Sequence, residues 1–301
     1  MEENRTRAVF HLPGLFEFYE FYKAFLKLFY SHREYFYDYV ELGSIYGSPR
    51  DTIWSGGRIE FNEASPEEVL SMVNSYNISC RLTFSNSLLR EEHLTDKKCN
   101  DLCKLFSSGN VKNGVIVHSD MLSEYIRSNY PELYLVSSTT KVITKFEGLL
   151  DEVNREEFKY VVPDFRLNKA FEDLQKMTSY QKDKLEFLCN ECCSFGCPDR
   201  KKCYEDVSRK VLGIEAPDHH CASDILNEGY RFSKAMTNKG FISREDIEKV
   251  YLKMGFSNFK IEGRSLGSAL ILEFILYYLT KPECQLLVRE ELYLDNTLDL
   301  F

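Results

Sequence analysis

Short apolar runs alternate with longer runs of helical spacing along most of the chain. The first short run, "RAVFHLPG" at residues 7–14, has the pattern of a strand, and "LFEFYEFYKAFLKLFY" follows it with the spacing of a helix. The same order then repeats, with further strands predicted at residues 37–43, 78–84, 114–119, 133–138, 158–164, 184–191 and 258–264. Strands that alternate with helices in this way indicate a parallel sheet covered by helices.

Eight strand–helix units predict a TIM-like (β/α)8 barrel that occupies residues 1–301 as a single domain. The alternative is an open, doubly wound sheet, but no glycine-rich dinucleotide turn follows the first strand. Within the repeat, Ser65 and Glu68 have the spacing of a capping box at the start of a helix. Residues 189–229 interrupt the repeat just after strand seven, and we expect them to form a cysteine-rich, metal-binding insertion on the carboxyl-terminal face of the barrel.

Polar residues stand where the predicted strands end, on the face where barrel enzymes place their functional groups. Glu41, His118 and Asp164 are the candidates for proton transfer at these positions. After the last strand, Arg264 is a candidate for binding a substrate carboxylate through two hydrogen bonds, and Glu262 would orient it. The competing interpretations are that strand ends are polar in any barrel, and that Arg264 forms a salt bridge that closes the barrel.

Charge and hydropathy narrow the classes of partner. The net charge of −9 argues against broad binding to a nucleic-acid backbone, which needs dense lysine and arginine. The strongest apolar run, residues 268–279, is too short to span a membrane and contains Glu273, so it predicts a buried helix. The amino terminus shows no apolar signal segment. We therefore expect a cytoplasmic protein whose thiols stay reduced.

Six of the ten cysteines fall in the predicted insertion: Cys189, Cys192, Cys193, Cys197, Cys203 and Cys221. Thiolates at this density repel one another unless a metal neutralises them, and both zinc and iron–sulfur clusters bind four thiolates. The spacing does not choose between these metals, and His219 and His220 keep zinc open as an alternative. The four scattered cysteines are expected to be small buried hydrophobic residues.

Three stretches in the second half of the chain resemble one protein family. "NECCSFGCPDRKKCY" at residues 190–204 resembles the N-E-x-C-x3-C-P-x-R stretch of barrel proteins related to the collagenase-like peptidases of unknown catalytic type. "YVVPDFRLN" and "GFISREDIEKVYLKMGFSNFKIEGRS" resemble a strand and the closing unit of the same family. The resemblance covers residues 160–265. The chain departs from the family in lacking the extra carboxyl-terminal domain of the larger members and in Arg244, which replaces a proline.

The resemblance implies a [4Fe–4S] cluster over the mouth of the barrel, with zinc as the alternative cofactor. It implies four ligands for the cluster, Cys193, Cys197, Cys203 and Cys221. Cys189 or Cys192 is an alternative to Cys203. Relatives in the family look like [4Fe–4S] proteins that support oxygen-independent hydroxylation in ubiquinone synthesis or RNA modification.

These relatives imply an iron–sulfur enzyme that performs a redox reaction or an oxygen-atom transfer on a small organic substrate. The alternative is a non-catalytic accessory barrel with a structural metal, because the hydroxylation relatives act in pairs. The aromatic first helix is then a candidate contact surface for a heteromeric protein partner. Proteolysis is disfavoured, because the chain has no H-E-x-x-H motif and no cysteine beside a histidine in a recognisable catalytic arrangement.

Overall fold

Eight parallel strands form one sheet in the computed structural model, which describes residues 7–56, 64–216, 230–263 and 266–294. The strands are β1 (Ala8–Pro13), β2 (Val40–Gly47), β3 (Ser79–Phe84), β4 (Gly114–Val117), β5 (Tyr134–Ser137), β6 (Phe158–Val161), β7 (Glu186–Leu188) and β8 (Asn258–Lys260). Each overlaps one of the eight predicted segments. The largest difference is β2, which continues to Gly47 although the sequence predicts an end at residue 43.

The strands close into a barrel. Their order in the sheet is β6-β5-β4-β3-β2-β1-β8-β7, and every neighbouring pair is parallel. A parallel bridge between Val161 and Leu185 joins the two remaining edges. We call this junction between β6 and β7 the seam, because only this bridge connects the two strands. The predicted (β/α)8 barrel is therefore confirmed, and the open sheet is not found.

Helices connect the strands and cover the outside of the sheet. The first eight are α1 (Tyr19–Ser31), α2 (Pro66–Ser75), α3 (Lys97–Ser107), α4 (Asp120–Asn129), α5 (Phe146–Asn154), α6 (Phe171–Leu174), α7 (Ser179–Lys184) and α8 (Arg200–Val211). Later helices span Phe232–Ala235, Arg244–Asp246, Ser268–Tyr278 and Gln285–Arg289. The predicted capping box begins α2: the Glu68 N–H donates to Ser65 Oγ at 3.2 Å, and the Ser65 N–H donates to Glu68 Oε2 at 3.1 Å.

The two faces of the strands meet different surroundings, because successive side chains of a strand point to opposite sides. Outward side chains such as Phe10, Leu82 and Val115 pack against the helices in the main hydrophobic core. Inward side chains form a smaller apolar cluster, Tyr46, Ile116, Tyr134, Val136, Val162 and Leu188. Buried charged residues share the barrel interior with this cluster, so the interior is only partly apolar.

The insertion after β7 contains α8, which reaches across the mouth of the barrel. Ser208 of α8 accepts hydrogen bonds from residues that follow β3: the Ser87 N–H donates to its Oγ at 3.1 Å, and Asn86 Nδ2 donates to its carbonyl at 3.3 Å. β3 and β7 lie on opposite sides of the barrel. The helix therefore crosses from the strand it follows to the far wall.

Two apolar helices, α1 and the helix Ser268–Tyr278, are largely buried. Most of the aromatic run of α1 packs inward, with Tyr22, Phe25, Leu26, Leu28 and Phe29 buried. Tyr30 is 47% exposed and stacks on the ring of Tyr76. The helix Ser268–Tyr278 is buried along one side, as predicted. Among the residues that the structure describes, no helix is both long enough and apolar enough to cross a membrane.

Candidate functional site

A cavity of about 1030 Å³, part of which opens to solvent, lies at the carboxyl ends of the strands. Strand ends and the residues just after them form one side, including Thr83, Ile116, Ser138, Thr140, Val162, Leu188 and Lys260. The insertion forms the other side with Cys192, Cys193, Arg200, Cys203 and Tyr204. The cavity occupies the face on which barrel enzymes bind their substrates, and it combines apolar walls with a few polar groups.

Below the cavity, four ionisable residues from four strands form an interior charge cluster: Arg81, Glu186, Lys260 and His11. Arg81 Nη1 donates to Glu186 Oε2 at 2.5 Å, and Lys260 Nζ donates to Glu186 Oε1 at 3.2 Å. His11 Nε2 lies 3.6 Å from Glu186 Oε2. All four are buried. Because its Lys260 also lines the cavity, the cluster forms part of the cavity floor.

Burial and neighbouring charge set the protonation states in the interior charge cluster. Burial lowers the pKa of His11 to about 3, and the charge of Arg81 acts in the same direction. Burial alone would raise the pKa of Glu186, but its neighbours, Arg81 first and then His11 and Lys260, together outweigh burial and hold that pKa well below the ordinary value. The cluster therefore holds a neutral imidazole and an ionised carboxylate at neutral pH.

Aromatic rings support the two cations of the cluster. The Arg81 guanidinium lies 4.7 Å from the ring centre of Tyr160, and Lys260 Nζ lies 3.5 Å from the ring centre of Tyr46. Both distances are within the range of a favourable cation–π interaction. The Tyr46 hydroxyl donates to the carbonyl of Ile261 at 2.6 Å, which fixes the ring beside the cavity.

At the rim, Arg200 joins residues from both sides of the seam. Its Nη2 donates to Glu191 Oε2 at 2.5 Å, and its Nε lies 3.3 Å from Asp164 Oδ2. Burial alone would raise the pKa of Glu191, but the charge of Arg200 and the hydrogen bonds from Arg200 and Cys193 together lower it. Asp164 also accepts two hydrogen bonds from the Arg166 side chain, at 2.7 and 3.0 Å. Neither Nε nor Nη1 of Arg200 has a hydrogen-bond partner within the described ranges.

Three predicted metal ligands lie in the described part of the insertion. Cys193, Cys197 and Cys203 are half-buried, and Cys193 and Cys203 line the cavity. The pKa of Arg166 is raised first by its hydrogen bond to Asp164 and also by the charge of Cys197. Burial lowers the pKa of Arg200, but Glu191, Tyr204 and Cys193 together outweigh burial and raise that pKa. Cys193 therefore lies between a cation and a carboxylate, since its side chain also hydrogen-bonds Glu191.

The two alternative cysteines have surroundings that oppose a thiolate. Cys189 is fully buried in the main core, and its thiol donates to the carbonyl of Phe187 at 3.5 Å. The Cys192 sulfur, a Glu191 oxygen and a Glu262 oxygen lie within 4.8 Å of one another. Burial and these two carboxylates raise the pKa of Cys192 far above its ordinary value. In the described part of the chain, this is the one group of three His, Cys, Asp or Glu side chains whose ligand atoms lie that close together.

His118 follows β4 and reaches the cavity through hydroxyl groups. Its Nδ1 lies 2.9 Å from Thr140 Oγ1, and Thr140 Oγ1 donates to Ser138 Oγ at 2.9 Å. Ser138 and Thr140 both line the cavity. Burial lowers the pKa of His118 to about 4, and the charges of Lys141 and Lys201 add to the effect. The imidazole is therefore neutral near pH 7.

The other site residues that were predicted from the strand ends lie at different places in the structure. Glu41 lies near the amino-terminal end of β2 and pairs with Arg7, so its predicted position at the mouth is corrected. Asp164 is buried between Arg166 and Arg200 at the rim. Glu262 lines the cavity, and its Oε1 accepts a hydrogen bond from the Cys192 N–H at 3.0 Å. Arg264, Cys221, His219 and His220 lie outside the described residues.

Sequence reasoning missed the interior charge cluster and the role of Arg200. Arg81, Glu186 and Lys260 each stand between two apolar residues inside a strand. Such a charge must be buried and paired if the strand faces a barrel interior, so the pattern is a usable signal. Arg200 and its partner Glu191 are the arginine and the glutamate of the stretch that resembles N-E-x-C-x3-C-P-x-R, so the resemblance marked both positions without giving them a role.

The fold and the cavity define a closed (β/α)8 barrel with a polar site at its carboxyl-terminal mouth. No family model matches the chain. Its sequence is similar to that of the uncharacterized protease MJ1657 of Methanocaldococcus jannaschii, with 24% identity over 257 residues, or 80% of this chain and 75% of that protein.

The barrel is also similar to a solved structure, that of the U32 peptidase Mk0906. The TM-score is 0.52 over 87% of this chain and 95% of the other, with 14% sequence identity. At this identity the likeness supports the fold alone. The two comparisons agree with the resemblance to peptidase-named barrel proteins, and neither bears on an iron–sulfur cluster.

Proposed function

We propose that the protein is a peptidase-family-like barrel enzyme that binds a [4Fe–4S] cluster through its insertion and performs a redox reaction or oxygen-atom transfer on a small organic substrate. One observation carries the proposal: Cys193 and Cys203, predicted as ligands, line the same mouth cavity as Lys260 and Arg200. A metal held there would lie beside any molecule bound in the cavity.

The donor set fits a thiolate-bound metal better at some cysteines than at others. Cys193 lies near Arg200 and also hydrogen-bonds the Glu191 carboxylate, and Cys197 lies near Arg166. Cys192 lies near two carboxylates, which disfavour a thiolate. We therefore keep Cys193, Cys197, Cys203 and Cys221 as the proposed ligands. Cys192 is the weaker alternative, and the core position of Cys189 makes it weaker still.

A bound [4Fe–4S] cluster would supply one-electron chemistry. The chain's own residues would bind and orient the substrate. Ile116, Val162 and Leu188 offer apolar contact to its body, and Lys260 places a cation at the cavity floor. α8 crosses the mouth and would limit the access of water to the reacting groups.

Anaerobic purification of the whole chain tests the metal directly. We expect a brown protein with about four iron and four sulfide per chain. A Cys193→Ala/Cys197→Ala double variant should lose the colour and the iron. Cys284→Ala is the matched control, because Cys284 lies in a short turn after the last long helix and should keep both.

A colourless wild-type protein with one tightly held zinc would contradict the iron–sulfur proposal and favour the accessory barrel with a structural metal. A double variant that keeps its iron would contradict the ligand assignment. In that case Cys192→Ala and Cys189→Ala, each added singly, would identify the replaced ligand.

Proteolysis is the second candidate, and the names of the two similar proteins favour it. A serine, a histidine and a glutamate are connected inside the barrel in the order of a serine-hydrolase triad. Ser44 Oγ lies 2.8 Å from His11 Nδ1, and His11 Nε2 faces Glu186. All three residues are buried, and none of them lines the cavity. A peptide bond would have no access to Ser44. Cleavage of denatured collagen or casein that Ser44→Ala abolishes would reverse this argument.

A further inference from the structure

The turn after β7 is fastened to the end of β8 by a pair of hydrogen bonds. The Glu262 N–H donates to Asn190 Oδ1 at 2.8 Å, and Asn190 Nδ2 donates to the carbonyl of Glu262 at 3.1 Å. Asn238 holds the same turn, because its Nδ2 donates to the carbonyls of Glu191 at 3.3 Å and Cys193 at 2.8 Å. The backbone at these two strand ends is therefore held in one arrangement.

The carboxylates of Glu191 and Glu262 are also fixed by hydrogen bonds. Glu262 Oε1 accepts from the Cys192 N–H at 3.0 Å, and Glu191 Oε1 accepts from the Cys193 N–H at 3.0 Å. Arg200 Nη2 donates to the other oxygen of Glu191 at 2.5 Å. Outer hydrogen bonds of this kind orient the side chains that bind a metal ion.

Three potential ligand atoms lie close together on this rigid backbone. The Cys192 sulfur and one oxygen from each of Glu191 and Glu262 are within 4.8 Å of one another, and Cys193 is not a member of this group. Zinc binds sulfur at about 2.3 Å and carboxylate oxygen at about 2.0–2.2 Å, so two ligands of one zinc ion are at most about 4.5 Å apart. Small rotations of the three side chains would therefore close the group on one ion.

Charge also favours a divalent cation at this place. Glu191, Glu262 and an ionised Cys192 together carry three negative charges. Arg200 supplies one positive charge through its bond to Glu191, and a divalent cation would supply the other two. The Cys192 thiol hydrogen-bonds the Glu262 carboxylate, and binding of the ion would release that thiol proton to solvent.

The group of three ligands opens into the mouth cavity. Glu191, Cys192 and Glu262 all line the cavity, and so does Arg200. Arg200 is 2% exposed, and its Nη1 has no hydrogen-bond partner within the described residues, although Nη2 of the same guanidinium is bonded to Glu191. An unpaired buried donor is costly, so its presence beside the group points to a further acceptor, such as an oxygen bound to the ion.

We propose that Glu191, Cys192 and Glu262 bind one divalent transition-metal ion, of which zinc is the best match, and leave one position of the ion open to the cavity. Three protein ligands with one exchangeable position are the arrangement of catalytic zinc sites. The thiolate favours zinc over magnesium and calcium, which prefer oxygen ligands. Such an ion would act as a Lewis acid on an oxygen of a bound molecule. The site is separate from the proposed iron–sulfur cluster, because it uses none of the four cysteines proposed as cluster ligands.

Cobalt(II) tests this site, because it takes the place of zinc and absorbs in the near ultraviolet when a thiolate binds it. The test uses the Cys193→Ala/Cys197→Ala double variant of the whole chain, freed of metal with a chelator, so that the proposed cluster cannot form. We expect one cobalt per chain with this absorption, and zinc should remove the absorption whereas magnesium should not. Adding Cys192→Ser should abolish it. Adding Glu262→Gln should weaken cobalt binding by at least about 100-fold, since loss of even an outer hydrogen-bond partner costs about 10–100-fold.

Two controls separate this site from other ways of binding cobalt. Glu245→Gln is matched to Glu262→Gln, because Glu245 pairs with Lys249 on an exposed helix surface, and it should leave cobalt binding unchanged. Cys203→Ala should keep the absorption, although Cys203 lines the same cavity. An absorption that is lost in Cys203→Ala and kept in Cys192→Ser would overturn the site, and so would a double variant that binds no cobalt.

A second measurement does not depend on the folding of the double variant. In the metal-free wild type, Cys192→Ser should lower the cobalt content by one ion per chain, and an equal content would overturn the site. Iron and sulfide are measured on separate anaerobic samples of the wild type. Failure of the iron–sulfur proposal and failure of this site are therefore distinguishable.

Discussion

Replacing Glu186 with glutamine tests whether one carboxylate holds the interior charge cluster together. Glu186 is fully buried, 2.5 Å from Arg81 Nη1 and 3.2 Å from Lys260 Nζ. Glutamine has nearly the same volume, so Glu186→Gln removes the charge without creating a cavity. Arg81 and Lys260 then lose the carboxylate to which both donate.

The expected loss of unfolding free energy has three parts: the lost attraction of Glu186 to Arg81, its lost attraction to Lys260, and the desolvation cost that the amide no longer carries. Each unit pair at about 4 Å contributes about 4 kcal/mol at an effective dielectric constant of about 20, so the two together contribute about 8 kcal/mol. The amide no longer carries the cost of burying a carboxylate, which is several kcal/mol. The expected net loss is about 3–5 kcal/mol of unfolding free energy, in line with the removal of one partner from a buried ion pair. A typical domain has only about 5–15 kcal/mol in total.

Urea unfolding followed by tryptophan fluorescence measures this loss. The chain has one tryptophan, Trp54, which is buried and donates its indole N–H to the carbonyl of His93 at 2.7 Å. Glu245→Gln is the control, because Glu245 pairs with Lys249 on an exposed helix surface and should cost less than about 0.5 kcal/mol.

A second substitution separates charge from shape in the same assay. Adding Lys260→Met to Glu186→Gln leaves Arg81 as the one cation of the cluster, so part of the lost stability should return. A Glu186→Gln protein within about 1 kcal/mol of the wild type would refute the electrostatic argument. So would a double variant that is less stable than Glu186→Gln alone.

Three further changes probe the mouth. Gly56→Ala would place a methyl carbon 2.2 Å from the backbone oxygen of Ser85, so urea unfolding should show a loss of about 1–3 kcal/mol; no loss would mean that this loop yields freely. Asn168→Ala removes the donor to the carbonyl of Leu188 and to a second backbone carbonyl, both at 2.8 Å, and should cost about 2–3 kcal/mol in the same assay. His118 has a folded pKa of about 4, below its unfolded value of about 6.5, so the unfolded chain binds more protons between these values. Stability should rise with pH across that window and should rise less in His118→Gln; an equal slope would contradict the shift.

The strand–helix order of the barrel could be predicted from the sequence, because each strand is a short apolar run that is followed by a helix. β2 shows where that signal ends. Its second half, "GSIYG", contains two glycines and a serine and has the composition of a loop. The barrel nevertheless extends it, since Ser44 bonds to His11 and Tyr46 packs beside Lys260. Tertiary contacts, which local pattern does not contain, therefore decided the position of Glu41.

The position of the insertion could also be predicted from the sequence, but the charged surroundings of its cysteines could not. The sequence places Cys192 and Cys193 side by side, and both lie beside Glu191, but Cys192 also faces the carboxylate of Glu262, whereas Cys193 also lies near Arg200. This difference depends on the path of α8 across the mouth, which no spacing rule describes. A high density of cysteines in the sequence predicts a metal site. Which of two adjacent cysteines binds the metal depends on the charged side chains around each one, and these are known only from the structure.

The position of Arg200 connects the insertion to the closure of the barrel. The seam between β6 and β7 has a single backbone bridge, and Arg200 joins Asp164, which follows β6, to Glu191, which follows β7. The sequence offered Arg264 as the residue that closes the barrel by a salt bridge, and Arg200 makes such a contact in the described structure. Because Arg200 belongs to the same helix as Cys203, the segment that carries the proposed metal ligands also holds the weakest junction of the sheet. Binding of a metal to that segment would restrict α8, and the restriction would reach the seam through Arg200.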